Sequence, residues 1–439
     1  MPTAEQLSSR SIVFNAFWPF LSKQKTGRKL LDESLSNTYE RLDLSTENRK
    51  FITHLSYTLC RYWFALDPII DTLSQFPRQK MENKVLLLLK IGLIQLTDLV
   101  EVPQHAAIFE TIELAKTLKL STKSQGFIHA ILQNYVRKSQ KDPQTFALNP
   151  TLIFPAWYRD RLTLAYSETW FTEYTQAFLI PPQGLSIRHN PLKITLDAFK
   201  LELKKAEITF ETPDPSLPEA LYIPDLSRPQ AVPGYTEGWF TPQDLSATRA
   251  SAQLNPQKNE RILEIGAAPG GKTTHLSALM QNTGQIIAID SSSTRLQQLK
   301  DNTTRLGCTN IQALTLDMCS IEQILACEAL KEPFDRILID APCSATGIIR
   351  KHPDILLQLK PEDAASRQKT QIQLILNAMP LLKKGGTLLY ATCSIDPEEN
   401  QHVVQAVLKQ TPLELISETL SPLSTQQDGF YVGVLRSPH

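Results

Sequence analysis

The sequence predicts an α/β domain at the carboxyl end of the chain, preceded by a separate helical domain. From residue 238 onward, short apolar runs alternate with helix-compatible stretches, which is the pattern of a mostly parallel, doubly wound sheet. Residues 1–140 instead carry apolar side chains at three- and four-residue steps, the pattern of an all-helical bundle. We expect a small α+β module in residues 141–237, so the chain is multidomain.

Length and composition fit this division. The 439 residues are enough for three domains, which we place at residues 1–140, 141–237 and 238–439. Hydrophobic residues make up 42% of the chain and its net charge is zero, as in soluble globular proteins. The first ten residues lack the apolar core of a signal peptide, and no apolar run is long enough for a membrane span. Six cysteines without Cys-x-x-Cys spacing argue against a zinc module or disulfide framework, so we expect a cytoplasmic protein without metal.

The helices of the first domain are predicted from apolar periodicity alone. They cover residues 9–20, 30–42, 47–66, 83–99, 103–118 and 124–138. A slight excess of basic over acidic residues in this domain would suit binding to a polyanion.

The middle module mixes both kinds of pattern. We expect strands at 185–188, 207–210 and 220–223 and a helix at 196–206. Six prolines between residues 213 and 233 predict a loop-rich connection to the last domain.

The last domain should contain seven strands, with helices between most of them. The predicted strands are 262–265, 285–289, 311–316, 336–339, 387–391, 413–416 and 430–435. No helix separates the last two, so we expect an antiparallel hairpin at the edge of a parallel sheet. In this fold the ligand binds at the carboxyl ends of the strands.

A glycine-rich turn follows the first of these strands and opens into a helix. Residues 266–272 read Gly-Ala-Ala-Pro-Gly-Gly-Lys, which suits close approach of the backbone to an adenine-nucleotide-like ligand. The spacing from Gly266 to Gly271, Lys272 and Thr273 also fits a P-loop, in which the lysine would bind a triphosphate. A turn without any ligand is the third interpretation, and the loop alone leaves all three open.

Aspartates end the next three strands. Asp290 follows the second strand and is placed to accept the hydroxyls of a ribose. Asp317 follows the third strand and is placed to accept a hydrogen bond from an adenine amino group. Asp340 ends the fourth strand. Three such residues in register with the glycine turn favour a nucleotide-like ligand over a plain turn.

Cysteines follow the fourth and fifth strands, at Cys343 and Cys393. A nucleophilic cysteine needs a lowered pKa, for which Lys272, Arg350, Lys351 and His352 are candidate cations. Beside S-adenosylmethionine, thiolate addition at carbon 6 of a pyrimidine would let carbon 5 take a methyl group, while a second cysteine assists release. The residues alone do not say which cysteine attacks. The other cysteines are expected to be buried small hydrophobes: Cys60, Cys308, Cys319 and Cys327.

Four segments together resemble the RNA cytosine-5 methyltransferases of the NOL1/NOP2/Sun family. They are residues 266–272, Asp-Ala-Pro-Cys-Ser-Ala-Thr-Gly at 340–347, Arg-Lys-His-Pro-Asp at 350–354 and Tyr-Ala-Thr-Cys-Ser at 390–394. Residues 102–111 resemble the NusB-type RNA-binding domain. The resemblance implies a Rossmann-like class I methyltransferase domain that acts on small-subunit (16S) ribosomal RNA with S-adenosylmethionine as cofactor. We expect a monomer that needs neither membrane nor metal.

The resemblance also implies roles for individual residues. Cys393 corresponds to the nucleophile, Cys343 to the cysteine that aids release, and Asp340 and Lys272 to residues that contact the target cytosine. The implied cofactor site consists of Gly266, Ala267, Ala268, Pro269, Gly270, Gly271, Lys272, Asp290, Asp317 and Asp340. Two positions depart from the family pattern: Glu264 replaces a frequent aspartate, and serines rather than acidic residues follow Asp290.

Two other functions remain compatible with the sequence. A P-loop ATPase would explain the glycine turn but would give the two cysteines no role. A non-catalytic RNA-binding assembly or transcription factor would use the NusB-like domain and keep the methyltransferase fold without its activity. Replacing Cys393 by alanine separates these functions from methyl transfer.

Overall fold

The structure is a computed structural model that describes residues 8–22, 31–99 and 101–438. These residues divide into two units, of which the first contains residues 8–179 together with 351–359. The second contains residues 180–350 and 360–438. The predicted helix start at residue 30 and the first seven residues lie outside the described residues. The three-domain division with borders after residues 140 and 237 stays a prediction.

Among the described residues, all regular secondary structure of the first unit is helical, whereas helices alternate with strands in the second. In chain order they are α1 (Ser9–Leu21), α2 (Leu31–Arg41), α3 (Thr46–Arg61), α4 (Leu66–Leu73), α5 (Asn83–Thr97), α6 (Gln104–Thr117), α7 (Thr122–Ser139), α8 (Ala156–Ala165), α9 (Glu168–Leu179), α10 (Leu196–Lys205), α11 (Leu245–Gln253), α12 (Gly271–Leu279), α13 (Ser293–Leu306), α14 (Ile321–Ala326), α15 (Ile355–Gln358), α16 (Asp363–Ala378) and α17 (Gln401–Leu408). None of the described helices is long and apolar enough to cross a membrane.

Helix α5 lies in the core of the first unit. Its residues from Leu87 to Gln95 are all buried, so its apolar run faces neighbouring helices on every side. The one charge in that run, Lys90, places Nζ 2.5 Å from Asp67 Oδ1 and 4.1 Å from the ring centre of Trp63. Burial nevertheless lowers the pKa of Lys90 to about 8.

The prediction of one helix over residues 47–66 is wrong, because two helices occupy this stretch. Helix α3 begins at Thr46, where the side chain of Ser45 accepts a hydrogen bond from the Asn48 N–H. It ends at Arg61, and α4 begins at Leu66. Pro68 lies in the first turn of α4, where its missing N–H leaves no helical hydrogen bond unmade.

A short segment from late in the chain completes the first unit. Helix α15 belongs to residues 351–359, and its Leu357 packs against the helical core. Asp354 Oδ2 accepts a hydrogen bond from the Leu31 N–H, which starts α2, at 3.1 Å. His352 Nδ1 lies 3.2 Å from Asp32 Oδ2. This segment therefore both caps α2 and extends the core.

The second unit contains two sheets. Its strands are β1 (Leu185–His189), β2 (Ala220–Ile223), β3 (Phe240–Pro242), β4 (Arg261–Ile265), β5 (Gln285–Asp290), β6 (Ile311–Thr315), β7 (Phe334–Asp340), β8 (Leu382–Thr392), β9 (Glu414–Ser421) and β10 (Phe430–Arg436). The described strands form a three-stranded sheet in the order β2-β1-β3 and a seven-stranded sheet in the order β6-β5-β4-β7-β8-β10-β9.

The small sheet differs from its prediction in one strand. Residues 207–210 form no strand, and only an isolated bridge pairs the next residue, Glu211, with Tyr222. The third strand is instead β3, which pairs with β1 from Ile187 to His189. Strand β3 has only three residues and contains a proline, so its apolar pattern is too short to recognise in the sequence.

The large sheet confirms the predicted seven-stranded, mostly parallel architecture. Strands β4 to β8 pair in parallel, while β10 pairs antiparallel with both β8 and β9. The last two strands therefore form the expected edge hairpin. Successive residues of β4 face opposite helical layers: Leu263 belongs to one hydrophobic cluster and Ile262 to another.

Candidate active site

The glycine turn after β4 brings the backbone against the end of β7. Gly266 has φ +77°, and a Cβ at this position would overlap the carbonyl oxygen of Asp340. The N–H groups of Gly266 and Ala267 both donate to the Ile289 carbonyl, at 2.9 and 3.0 Å. Gly270, with φ +101°, precedes the first residue of α12. The turn thus leaves a concave edge beside the carboxyl ends of the parallel strands.

A cavity of about 490 Å³ opens at this edge. Six of the predicted site residues line it: Gly266, Asp290, Asp317, Asp340, Cys343 and Cys393. The lining also includes residues that were not predicted for the site: Ser291, Arg295, Met318, Cys319, Thr370 and Leu374. Residues 267–272 lie in the turn and the start of α12 but are not part of the lining. Six of the predicted site residues are thus brought together at the cavity, whereas most of the glycine turn is not.

Asp290 is anchored at the end of β5. One carboxylate oxygen accepts from the Ser292 N–H at 2.9 Å, and the other from the Ala268 N–H at 3.3 Å. Arg295 Nη1 lies 3.4 Å from the same carboxylate, and its Nη2 donates to the Ala268 carbonyl at 2.5 Å. Arg295 was missed, although its place in the first turn of the helix after Asp290 is a usable signal. Asp290 and Arg295 together fix one wall of the cavity.

Asp317 and Asp340 occupy the next strand ends. Asp317 is exposed, and its Oδ1 accepts from the Cys319 N–H at 2.9 Å. Asp340 accepts a hydrogen bond from Lys272 Nζ at 2.7 Å. The ammonium also lies 5.1 Å from the ring centre of Phe430. The Asp340 carboxylate therefore lines the cavity while it is paired with the Lys272 ammonium.

The neighbours of Lys272 stabilise the charged form of its side chain. Burial alone would lower the pKa of Lys272, but Asp340, followed by Glu264 and Cys393, raises it above its ordinary value. Lys272, one of the four candidate cations, is thus connected electrostatically to Cys393. Another candidate, His352, faces Asp32 instead.

Glu264 lies behind this ion pair and has only 1% of its surface exposed. Burial raises its pKa to about 8, although Thr273 and Lys272 oppose the shift. A carboxyl group at this position therefore retains its proton at neutral pH. The replacement of the frequent aspartate by Glu264 preserves the acidic group without adding a charge to the site.

The two cysteines of the cavity meet. Cys343 follows β7 and Cys393 follows β8, and their Sγ atoms lie 3.5 Å apart. The hydrogen bond to Cys393, then burial, and then the negative charges of Cys393 and Glu399 raise the pKa of Cys343 well above its ordinary value. Cys343 therefore keeps its proton while in contact with the Cys393 sulfur, and either thiol can be the donor between them. No disulfide joins any of the six cysteines.

The other four cysteines only partly fit their prediction. Cys60 is fully buried in the helical core, as expected. Cys308, Cys319 and Cys327 are half-buried, so that part of the prediction is wrong. Each of the three follows or precedes a helix or strand end, where the backbone reaches the surface. No group of three or more potential metal ligands occurs within the described ranges.

Known proteins share both the sequence and the architecture of this chain. A family model described as 16S rRNA methyltransferase RsmB/F matches residues 251–436, and a NusB family model matches residues 7–137. A ribosomal RNA small subunit methyltransferase B from Salmonella arizonae is 35% identical over 393 residues, which cover 89% of this chain and 89% of that protein. The chain belongs to the RsmB/F family.

As a member of the RsmB/F family, the chain is an S-adenosylmethionine-dependent RNA methyltransferase. A solved methyltransferase homolog from Pyrococcus horikoshii is 26% identical with a TM-score of 0.56, covering 65% of this chain and 95% of the other. NSun6 from Pyrococcus horikoshii, solved with SFG, is 22% identical with a TM-score of 0.56 and covers 65% and 99%; it shows the same fold. Membership of the RsmB/F family argues against the ATPase and non-catalytic alternatives. The NusB-like and Rossmann-like domains of the prediction are confirmed.

Proposed function

We propose that this RsmB/F protein methylates carbon 5 of a cytosine in 16S ribosomal RNA through a covalent adduct with Cys393. The contact between Cys343 and Cys393 inside the strand-end cavity carries the proposal. A single nucleophile would need no second thiol, whereas attack followed by release gives each sulfur a task.

The acceptors of the cavity support binding of the cofactor. Carboxylates line it at the carboxyl ends of β5, β6 and β7, and Gly266 lets the backbone pass against the Asp340 carbonyl, with which a Cβ would collide. The turn over residues 266–272 would hold the cofactor with Asp290, Asp317 and Asp340. When bound, S-adenosylmethionine supplies the methyl group.

Cys393 is the proposed nucleophile. Its sulfur adds to carbon 6 of the cytosine, which breaks the double bond between carbons 5 and 6 and moves that electron pair to carbon 5. Carbon 5 then becomes able to accept a methyl group. The Lys272 ammonium interacts electrostatically with Cys393, which places a cation beside the proposed nucleophile.

Cys343 is the proposed release residue. After methylation, the Cys343 sulfur takes the proton from carbon 5 as its own proton passes to the Cys393 sulfur, and the electron pair left at carbon 5 restores the double bond and expels the Cys393 sulfur. Cys343 holds a proton beside that sulfur and can return it as the Cys393–carbon bond breaks. Asp340, paired with Lys272, would contact the exocyclic amino group or ring nitrogen of the cytosine.

The RNA contacts and assembly state complete the proposal. The helical domain and the middle module would bind RNA through phosphates and exposed bases, and the target base would be flipped from its stack. We propose that the enzyme acts as a monomer in the cytoplasm without a metal ion.

The test is transfer of a labelled methyl group from S-adenosylmethionine to unmodified 16S ribosomal RNA, followed by nucleoside analysis. We expect label in 5-methylcytidine, and its loss in Cys393→Ala. Cys327→Ala is the matched control, because Cys327 is also half-buried but does not line the cavity. Label in another nucleoside, or full activity of Cys393→Ala, would refute the proposal.

A further inference from the structure

The residues that follow the two cysteines are joined to each other. Ser344 follows Cys343 and is 2% exposed, while Ser394 follows Cys393 and is fully buried. Their Oγ atoms lie 3.0 Å apart. Thr346 Oγ1 lies 3.1 Å from Ser394 Oγ and 3.2 Å from Ser344 Oγ. The two cysteine loops therefore share a buried cluster of three hydroxyl groups.

A buried carboxylate terminates this cluster. Glu399 is fully buried, and its two oxygens accept from the Ser344 N–H at 2.9 and 3.1 Å. The Ser344 hydroxyl donates to the same carboxylate at 2.5 Å. The Tyr390 hydroxyl donates to the Glu399 main-chain carbonyl at 2.6 Å, and Arg367 Nε lies 3.8 Å from the carboxylate. Glu399 is thus held at both its backbone and its side chain.

The carboxylate fixes the direction of the Ser344 hydroxyl hydrogen. A carboxylate only accepts, so the single Ser344 hydroxyl proton points to Glu399. The Ser344 oxygen can then only accept from Ser394 and Thr346. Thr346 Oγ1 also accepts from the Ile395 N–H at 3.1 Å. Glu399 therefore makes Ser344 the acceptor of the hydroxyl cluster.

The main chain adds a second connection between the loops. The Gly347 N–H donates to the Cys393 carbonyl at 2.8 Å, and a Cβ at position 347 would overlap the Gly429 carbonyl. Neither the main-chain contacts nor the hydroxyl cluster involves a cysteine sulfur. The backbone positions of both cysteines are therefore fixed by groups other than the reactive sulfurs.

We infer that Glu399 is a positioning residue that holds Cys343 and Cys393 at their reactive separation by ordering the three hydroxyl groups beneath them. The inference rests on the proposed function, since it assigns Glu399 to the same reaction. Glu399 does not line the cavity, so it acts through Ser344 and Ser394 and not on the RNA or the cofactor. Displacement of reacting atoms by about 1 Å lowers enzyme rates by about a hundredfold, so the loss of this support will reduce turnover.

Glu399→Gln is the variant that tests this role. Glutamine keeps the size of the side chain but replaces one accepting oxygen by an amide group that donates, so it opposes the Ser344 donors. We expect kcat to fall about tenfold or more, with KM for both substrates changed less than about twofold. Glu398→Gln is the matched control: it lies in the same turn, contacts His402 and Gln368, and should retain wild-type turnover.

A trapping experiment separates positioning from a general loss of structure. Unmodified 16S ribosomal RNA transcribed with 5-fluorocytidine has no proton to lose at carbon 5 of the target, so the adduct with Cys393 persists on a denaturing gel. We expect Glu399→Gln to form it about tenfold more slowly than wild type, while S-adenosylmethionine affinity is unchanged. If Glu399→Gln does not fold, Ser394→Ala breaks the same chain one step away and should show the same delay.

The outcomes are distinguishable. Adduct formation at the wild-type rate in the folded Glu399→Gln or Ser394→Ala protein would overturn the positioning role and leave the proposed function intact. Failure of the wild-type enzyme to form any adduct would overturn the proposed function, and this inference with it.

Discussion

Cys343 Sγ and Cys393 Sγ lie 3.5 Å apart, although fifty positions separate the residues in sequence. They meet because β7 and β8 are adjacent parallel strands, so the loops after both strands leave the sheet at the same edge. The proton on Cys343 and the ammonium of Lys272 then give the two sulfurs different chemical environments. These neighbours support the proposed distinction between attack and release.

Replacing Cys343 by alanine should trap the reaction after methyl transfer. Without the thiol beside Cys393, expulsion of the sulfur slows, and protein covalently bound to RNA should accumulate on denaturing gels. The double variant Cys343→Ala/Cys393→Ala has no nucleophile and should show no such band. A Cys343→Ala enzyme that turns over normally without an adduct would contradict the release role.

Replacing Lys272 by glutamine should slow adduct formation. The substitution removes the cation that pairs with Asp340 and interacts with Cys393, and loss of one such preorganised charge lowers enzyme rates by about a hundredfold. Single-turnover methyl transfer at saturating S-adenosylmethionine measures the effect. Lys300→Gln, on the exposed face of α13, is the control and should be neutral. An unaffected Lys272→Gln rate would exclude its electrostatic role.

Glu264→Gln should stabilise the protein increasingly as the pH rises. In the unfolded chain this carboxyl group ionises above its ordinary pKa of 4.5, whereas the fold keeps it protonated up to about 8. The wild type therefore loses stability between these values, by about 1.4 kcal/mol for each pH unit at most. Glutamine does not titrate and avoids this loss. Urea unfolding of both proteins at pH 5 and pH 8 measures the difference, and an equal difference at both pH values would refute the shift.

Gly347→Ala should destabilise the second unit and abolish the geometry of the cysteine pair. The added Cβ would overlap the Gly429 carbonyl and crowd that of Cys393, and overpacking of this kind costs about 1–3 kcal/mol. Gly126→Ala is the opposite control, because nothing lies within 4 Å of its Cβ and alanine favours helix α7 by about 0.5–1 kcal/mol. Chemical unfolding should show that Gly347→Ala is less stable and Gly126→Ala more stable than the wild type. Methyl transfer should be lost only in Gly347→Ala.

Much of the fold and the placement of the cavity were predictable from residue periodicity. Seven apolar runs, a glycine turn and the acidic residues after successive strands are local patterns, and parallel pairing brings strand ends to one edge whatever the loops contain. The strand-end pattern therefore predicts that Asp290, Asp340, Cys343 and Cys393 lie at one edge of the sheet.

The remaining features depend on contacts between distant residues. Glu399 gave no signal because its partner Ser344 lies 55 positions earlier in the sequence, so that their contact forms only in the folded chain. The break between α3 and α4 was hidden because both helices share one apolar pattern. Strand β3 forms by pairing with β1, a contact that its own three residues do not indicate.

The late position of residues 351–359 in the sequence has a consequence for the evolution of the gene. The hydrogen bond from the Leu31 N–H to Asp354 spans 323 positions of sequence, so the cap of an early helix is encoded within the gene segment for the α/β domain. A recombination event that joined residues 1–179 to a foreign carboxyl-terminal half would remove both Asp354 and Leu357, which packs against the helical core. The two halves of this gene are therefore constrained to evolve as one unit, even though each matches a family of its own.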